Sequence, residues 1–149
     1  VPEPRQLEFL EKLAAEKSDV QAAQLARARA VLAQAEEKLA QLQRYEAGYH
    51  QQLSDKLGNA LTIDALRGHH RFMQNVALAV RQQEVEVARR RANADAVYRV
   101  WQETERRRQG FRVMAEKAVR IERQNDERRL QKTTDEFASR NSLQNDIGF

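Results

Sequence analysis

Between Arg5 and Phe149 the chain contains no proline, and one turn-like segment, Asp55-Lys56-Leu57-Gly58-Asn59, interrupts the run. A proline inside a helix costs roughly 3 kcal/mol, so a long run without one, rich in Ala, Leu, Gln, Glu and Arg, permits very long helices. The expectation is an all-α chain, an antiparallel two-helix coiled-coil hairpin with a longer second helix. Residues 1–149 read as a single coiled-coil domain: a helix over about 5–54, a turn over 55–63, a helix over 64–138 and a flexible tail over 139–149.

The apolar content fits a thin seam between helices. Apolar residues make up 41% of the chain, but there are only 5 Phe, 3 Tyr and 1 Trp, too few large side chains to fill a globular interior. The charged fraction, 32%, is that of a coiled coil, and the scarcity of Pro and Gly together with periodic leucines argues against disorder. No stretch approaches the ~20 apolar residues of a membrane span, and the N-terminus lacks the apolar core of a signal peptide. With no Cys there are no disulfides, thiolate zinc sites or thiol catalysis, and the pattern points to a cytosolic protein.

In the first helix Leu25, Leu32 and Leu39 recur every seven residues, with Ala28, Ala35, Leu42 and Tyr49 in between, which defines a heptad seam. Upstream, Leu10, Leu13 and Val20 join it only if the register slips by one residue before Leu25. Gly58-Asn59 ends the helix, and Thr62 or Asp64 caps the next one. In the second helix Met73, Val80, Val87, Ala94 and Trp101 form a heptad series with polar Glu84 and Arg91 between them, a narrower seam. Phe111, Met114, Ala118 and Ile121 resume on a shifted register, followed by Leu130 and Phe137. At ~1.5 Å per residue the first helix reaches roughly 75 Å and the second ~110 Å. The end of the second therefore overhangs, and a lone helix gains little stability without packing, which implies a partner.

The net charge of +4 conceals an excess of basic residues in the second helix, with clusters at Arg89-Arg90-Arg91 and Arg106-Arg107-Arg108. Three readings compete: a solvated, salt-bridged face, an acidic protein partner, and nucleic acid. Consecutive helical arginines spread around the axis, and Glu84, Glu86, Asp95, Glu103 and Glu105 lie among them, which favours ion pairing over a nucleic-acid stripe. The five scattered glycines make no phosphate loop, and no nucleophile, base and orienter cluster together. The chain reads as no enzyme, with no cofactor and no metal. His50, His69 and His70 read as surface histidines.

Near the turn, folding at Gly58 brings Tyr45 and Tyr49 beside Phe72, Val76 and Ala79, with Leu42 extending the patch. Two helices cannot cover all of these side chains. An apolar-aromatic remainder on a soluble protein marks an interface as readily as a core.

The order of Ala35-Glu36-Glu37-Lys38-Leu39, then Tyr45, Tyr49 and Leu53, then Gly58-Asn59, Phe72, Trp101 and Asp135-Glu136-Phe137-Ala138 resembles the flagellar export protein FliJ family along nearly the whole chain. The resemblance implies a non-catalytic stalk or adaptor of the flagellar type III protein export apparatus, similar to the stalk of rotary ATPases. It would be cytoplasmic, peripherally associated with the inner membrane at the flagellar base. The implied partners are a hexameric flagellar export ATPase, the cytoplasmic domain of the export gate protein FlhA, and export chaperones, with no small-molecule substrate. The implied gate contacts fall on Lys38, Leu42, Tyr45, Tyr49, Phe72, Val76, Ala79 and Gln83, of which Lys38, Val76 and Gln83 depart from the side chains expected there. The paired termini would meet the ATPase ring through Leu7, Leu10, Leu13, Met114, Ile121, Leu130 and Phe137. The alternatives are the equivalent stalk of a virulence-type secretion system and a basic coiled coil that binds nucleic acid.

Overall fold

A computed structural model describes residues 2–58 and 62–147, in which two helices account for nearly every residue: α1, Pro4–Leu57, and α2, Ile63–Ile147. No strand occurs among the described residues. Pro4 opens α1 at the position where a missing N–H costs nothing. The Glu3 carbonyl accepts from the Gln6 and Leu7 amides at 3.0 and 3.2 Å, and the Glu3 amide donates back to the Gln6 side chain at 3.4 Å. Thr62, rather than Asp64, caps α2: its hydroxyl accepts from the Ala65 amide at 3.2 Å, and its carbonyl from Leu66 at 3.0 Å. Asp64 lies in the first turn, where a negative charge complements the helix dipole.

Both helices run longer than the sequence pattern suggests. α1 continues past 54 to Leu57, and α2 continues past 138 to Ile147, through the residues expected to form a flexible tail. Ser139, Asn141, Ser142 and Asn145 are only moderate helix formers, but none breaks a helix, and no glycine or proline occurs between Gly110 and Ile147. Of the turn expected over 55–63, residues 59–61, Asn59 among them, lie outside the described residues.

Contacts divide the chain into two compact units, Val1–Ser18 with Glu103–Phe149 and Asp19–Gln102. Each is a pair of antiparallel helical segments. In the unit built from Asp19–Gln102, Arg29 lies over Tyr98, Ala35 meets Gln83 and Tyr49 meets Phe72, so residue numbers fall on α2 as they rise on α1. In the other unit Leu7 packs with Ala115 and Ala118, with Phe111 against them, and the Ser18 hydroxyl donates to Glu105.

The burial pattern fixes the seam. On α1 the buried and half-buried residues include Leu7, Glu11, Ala14, Ser18, Gln21, Leu25, Ala28, Leu32, Ala35, Leu39, Leu42, Glu46, Tyr49 and Leu53. Their spacing alternates 4 and 3 without a slip. The expected register shift before Leu25 does not occur, and Leu10, Leu13 and Val20 are exposed instead. Small Ala14 and polar Ser18 and Gln21 occupy the seam positions instead, Ser18 by donating to Glu105 and Gln21 with its Oε1 left without a partner. On α2 the same alternation runs through His69, Met73, Val76, Val80, Gln83, Val87, Arg90, Ala94, Val97, Trp101, Thr104, Arg108, Phe111, Ala115 and Ala118. The residues between Met73, Val80, Val87, Ala94 and Trp101 are therefore Val76, Gln83, Arg90 and Val97, not Glu84 and Arg91, which are exposed. The register does not shift at Phe111 either, and Met114 and Ile121 lie off the seam.

Candidate protein-binding surfaces

In a two-helix antiparallel pair the seam positions, a and d, are flanked by two grooves, one lined by g positions of both helices and the other by e positions. Within the Asp19–Gln102 unit the g side carries the aromatic cluster. Tyr49, at d, is half-buried with its ring 4.5 Å from Phe72 and 5.1 Å from His69. Tyr45, at g, stands 6.1 Å from Phe72 in an edge-on arrangement and 6.3 Å from Tyr49, yet is 55% exposed. The cluster is thus anchored at Tyr49 and open at Tyr45 and Phe72.

The same flank continues as a shallow groove lined by Val31, Lys38, Leu42, Ala79, Gln83 and Glu86 among others. Of the eight residues expected to contact a gate, Lys38, Tyr45 and Phe72 are exposed, and Leu42, Tyr49 and Ala79 are half-buried. Val76 and Gln83 are buried in the seam, 8% exposed each, so what they contribute is support for their neighbours. The Gln83 amide donates to the Ala35 carbonyl at 3.0 Å, which satisfies it internally. His69 is not a surface histidine: it is half-buried at a d position against Tyr49. No group of three metal-ligating side chains occurs among the described residues.

The arginine clusters are consumed by ion pairs. Glu86 accepts from Arg90 at 2.8 Å and Arg89 at 2.7 Å, and Arg91 reaches Glu36 on α1 at 3.1 Å. In the other unit Glu103 pairs with Arg106 and Arg107 at 3.5 and 3.6 Å, and Glu105 with Arg108 at 3.3 Å. The hydrogen bonds from Arg90 and then Arg89 hold the Glu86 carboxyl below its ordinary range. Spacing of three and four residues along a helix, legible in the sequence, produces all of these pairs except Arg91–Glu36, which crosses between the helices.

The Val1–Ser18 and Glu103–Phe149 unit presents a different surface. Leu7 is 3% exposed and belongs to the core with Ala115 and Ala118, so it cannot also face a partner. Leu10, Leu13, Met114 and Ile121 are all exposed to a third or more, and Leu130 and Phe137 to 69 and 66%. Every described residue from Val119 through Asp146 is exposed. Four large apolar residues were missed by the heptad reading: Phe9, Val113 and Leu143, each about as exposed as Leu130, and Val119, less exposed. Phe9, Val113 and Val119 sit at helix positions the heptad does not use, whereas Leu143 continues the a series of Met73 and Val80 beyond the end of the seam.

No helix of the described residues is long and apolar enough to cross a membrane. A family model described as flagellar FliJ protein matches residues 4–146. The flagellar FliJ protein of Salmonella typhi is similar, 27% identical over 137 residues that cover 92% of this chain and 93% of that protein. No solved structure matches. With a match that takes in both helices and the segment between them, the chain belongs to the flagellar FliJ protein family.

Proposed function

We propose that the chain is a non-catalytic stalk of the flagellar export apparatus, coupling an export ATPase ring to the membrane export gate and assisting chaperone and substrate delivery. It acts in the cytoplasm, held at the flagellar base by these partners. The observation that carries this reading is the exposed C-terminal part of α2: no residue from Val119 through Asp146 is buried, and the helix offers Leu130, Phe137 and Leu143 to solvent. A helix in a protein draws most of its stability from packing, so such a segment is built to pack on something else.

The ATPase-facing surface consists of Leu10, Leu13, Met114, Ile121, Leu130 and Phe137, with Leu7 removed to the core. Arg120, Arg123 and Arg128 have no ion pair among the described residues and can meet acidic groups of the ring. Exposed pairs contribute only ~0–1 kcal/mol each, so apolar contact carries the affinity. The gate-facing surface is the g-side flank of the other unit, with Tyr45 and Phe72 as its exposed anchors. The pairing of both arginine clusters with glutamates disfavours nucleic acid as the ligand, since phosphates would have to displace existing carboxylates.

Mixing the full chain with purified flagellar export ATPase tests the proposal. Stimulated hydrolysis and ring assembly are expected, and Leu130→Asp with Phe137→Asp should abolish both. An ATPase indifferent to the wild-type chain would sink the coupling role.

A further inference from the structure

The flank of the seam opposite the aromatic cluster carries a second groove, which the stalk reading leaves unused. Its floor is apolar: Leu53, Leu66 and Met73 all occupy a positions, and Leu66 remains 43% exposed although the heptad places it at the seam. Its rim is basic. Arg67 and Arg71 rise from α2, and His50 and His70 stand at e positions on the two helices. No acidic side chain lines it. The groove measures 670 Å³, within the range of sites that take up a few side chains.

We infer that this groove docks an acidic amphipathic helix of a partner protein, whose apolar face covers Leu53, Leu66 and Met73 while its carboxylates pair with Arg67 and Arg71. Three features select that occupant. The floor lies between two helices with no open strand edge, so an added helix is the element that fits. The planar guanidinium fork matches carboxylates in two-point contact. Neither arginine is held by an ion pair among the described residues, unlike the six in the two clusters, so their charge is available to an incoming chain. A lipid headgroup would meet the same arginines, but the apolar floor is recessed between helices, where a planar bilayer cannot reach it. The inference is independent of the coupling role, and its test contains neither the ATPase nor the gate.

The probe is a fluorescent synthetic helix of about 20 residues, long enough to be helical, with a leucine face and a glutamate face. A lysine version of the same peptide and phosphatidylserine–phosphatidylcholine vesicles form the comparison arms. The full chain should bind the glutamate peptide, and not the lysine peptide or the vesicles. Arg67→Gln with Arg71→Gln, both at exposed positions, should weaken that binding at least ten-fold with unchanged circular dichroism. Leu66→Ala should weaken it several-fold, and Arg106→Gln with Arg107→Gln should leave it as in the wild type. Failure of the glutamate peptide to bind, or equal binding by the groove variants and the Arg106 and Arg107 variants, would overturn the inference. So would capture by the vesicles through Arg67 and Arg71, which would make the groove a lipid site. Self-association lost in the groove variants would make it a contact between copies of this chain, and would overturn the inference as well.

Discussion

The side-chain amide of Gln83 donates to the backbone carbonyl of Ala35 at 3.0 Å, joining two buried seam positions 48 residues apart in the chain. A polar residue at a seam position fixes alignment at a cost in stability, because only one register satisfies it. Gln83→Ala should lower the stability of the hairpin by about 1 kcal/mol, the value of a hydrogen bond together with lost contact. Gln83→Leu should be neutral or stabilising. Urea unfolding followed by circular dichroism separates the two, and a Leu variant as unstable as the Ala variant would overturn the expectation by showing that the hydrogen bond itself, not the packed volume, stabilises the pair.

Tyr45 and Tyr49 should respond differently to truncation. Tyr49 is half-buried among Tyr45, His69 and Phe72, so Tyr49→Ala should lower the melting temperature. Tyr45→Ala, which removes a mostly exposed ring, should leave melting unchanged. If the flank binds the export gate, Tyr45→Ala with Phe72→Ala should weaken that binding by ~2 kcal/mol, typical of an interface anchor. Isothermal titration with the purified cytoplasmic domain of the gate protein measures this directly.

Ending the chain at Arg129 should leave thermal unfolding of the remainder where it was, since no described residue beyond Ala118 is buried. Stimulation of the export ATPase should fall sharply. A large drop in melting temperature on truncation would show that Leu130, Phe137 and Leu143 already serve the chain's own fold.

Glu86 titrates below its ordinary range because Arg90 and Arg89 donate to its charged form. A carboxyl with a depressed folded-state pKa adds stability above its unfolded pKa, and that stability is lost as pH falls through the folded value. Glu86 and Arg90 remain partly open to solvent, so the effect should be small and screened by salt. In Arg90→Gln the Glu86 carbon resonances should titrate closer to an ordinary glutamate. An unchanged midpoint would mean that Arg89 alone sustains the shift.

The hairpin was legible because the Pro-free run and the leucine heptads report helix and seam directly. The register in the polar stretches was not. Leu10, Leu13 and Val20 look like seam residues beside Ser18 and Gln21, yet the latter are buried and the former exposed. Hydrophobicity marks a seam only where side chains are large. In a two-helix pair, a small or hydrogen-bonded polar group fits between close backbones, as Ser18 does by donating to Glu105. Strict spacing from Leu25 backwards would have found Ser18, Ala14, Glu11 and Leu7. On the surfaces, five of the six clustered arginines were legible from their three- and four-residue offsets to glutamate, and only Arg91, which reaches Glu36 on α1, was not. Arg67 and Arg71 were not, because nothing in the local sequence separates an engaged arginine from an available one.

The exposed stretch from Val119 to Asp146 also has a kinetic meaning. None of its described side chains is buried and Leu130, Phe137 and Leu143 stand largely in solvent, so little packing holds the helical ladder shut and it can unzip from its end without disturbing either seam. Deuterium uptake there should outpace the rest of α2 and slow when a partner closes over the apolar side chains. The segment would then act as its own gauge of occupancy, with loss of exchange reporting attachment residue by residue along a single helix.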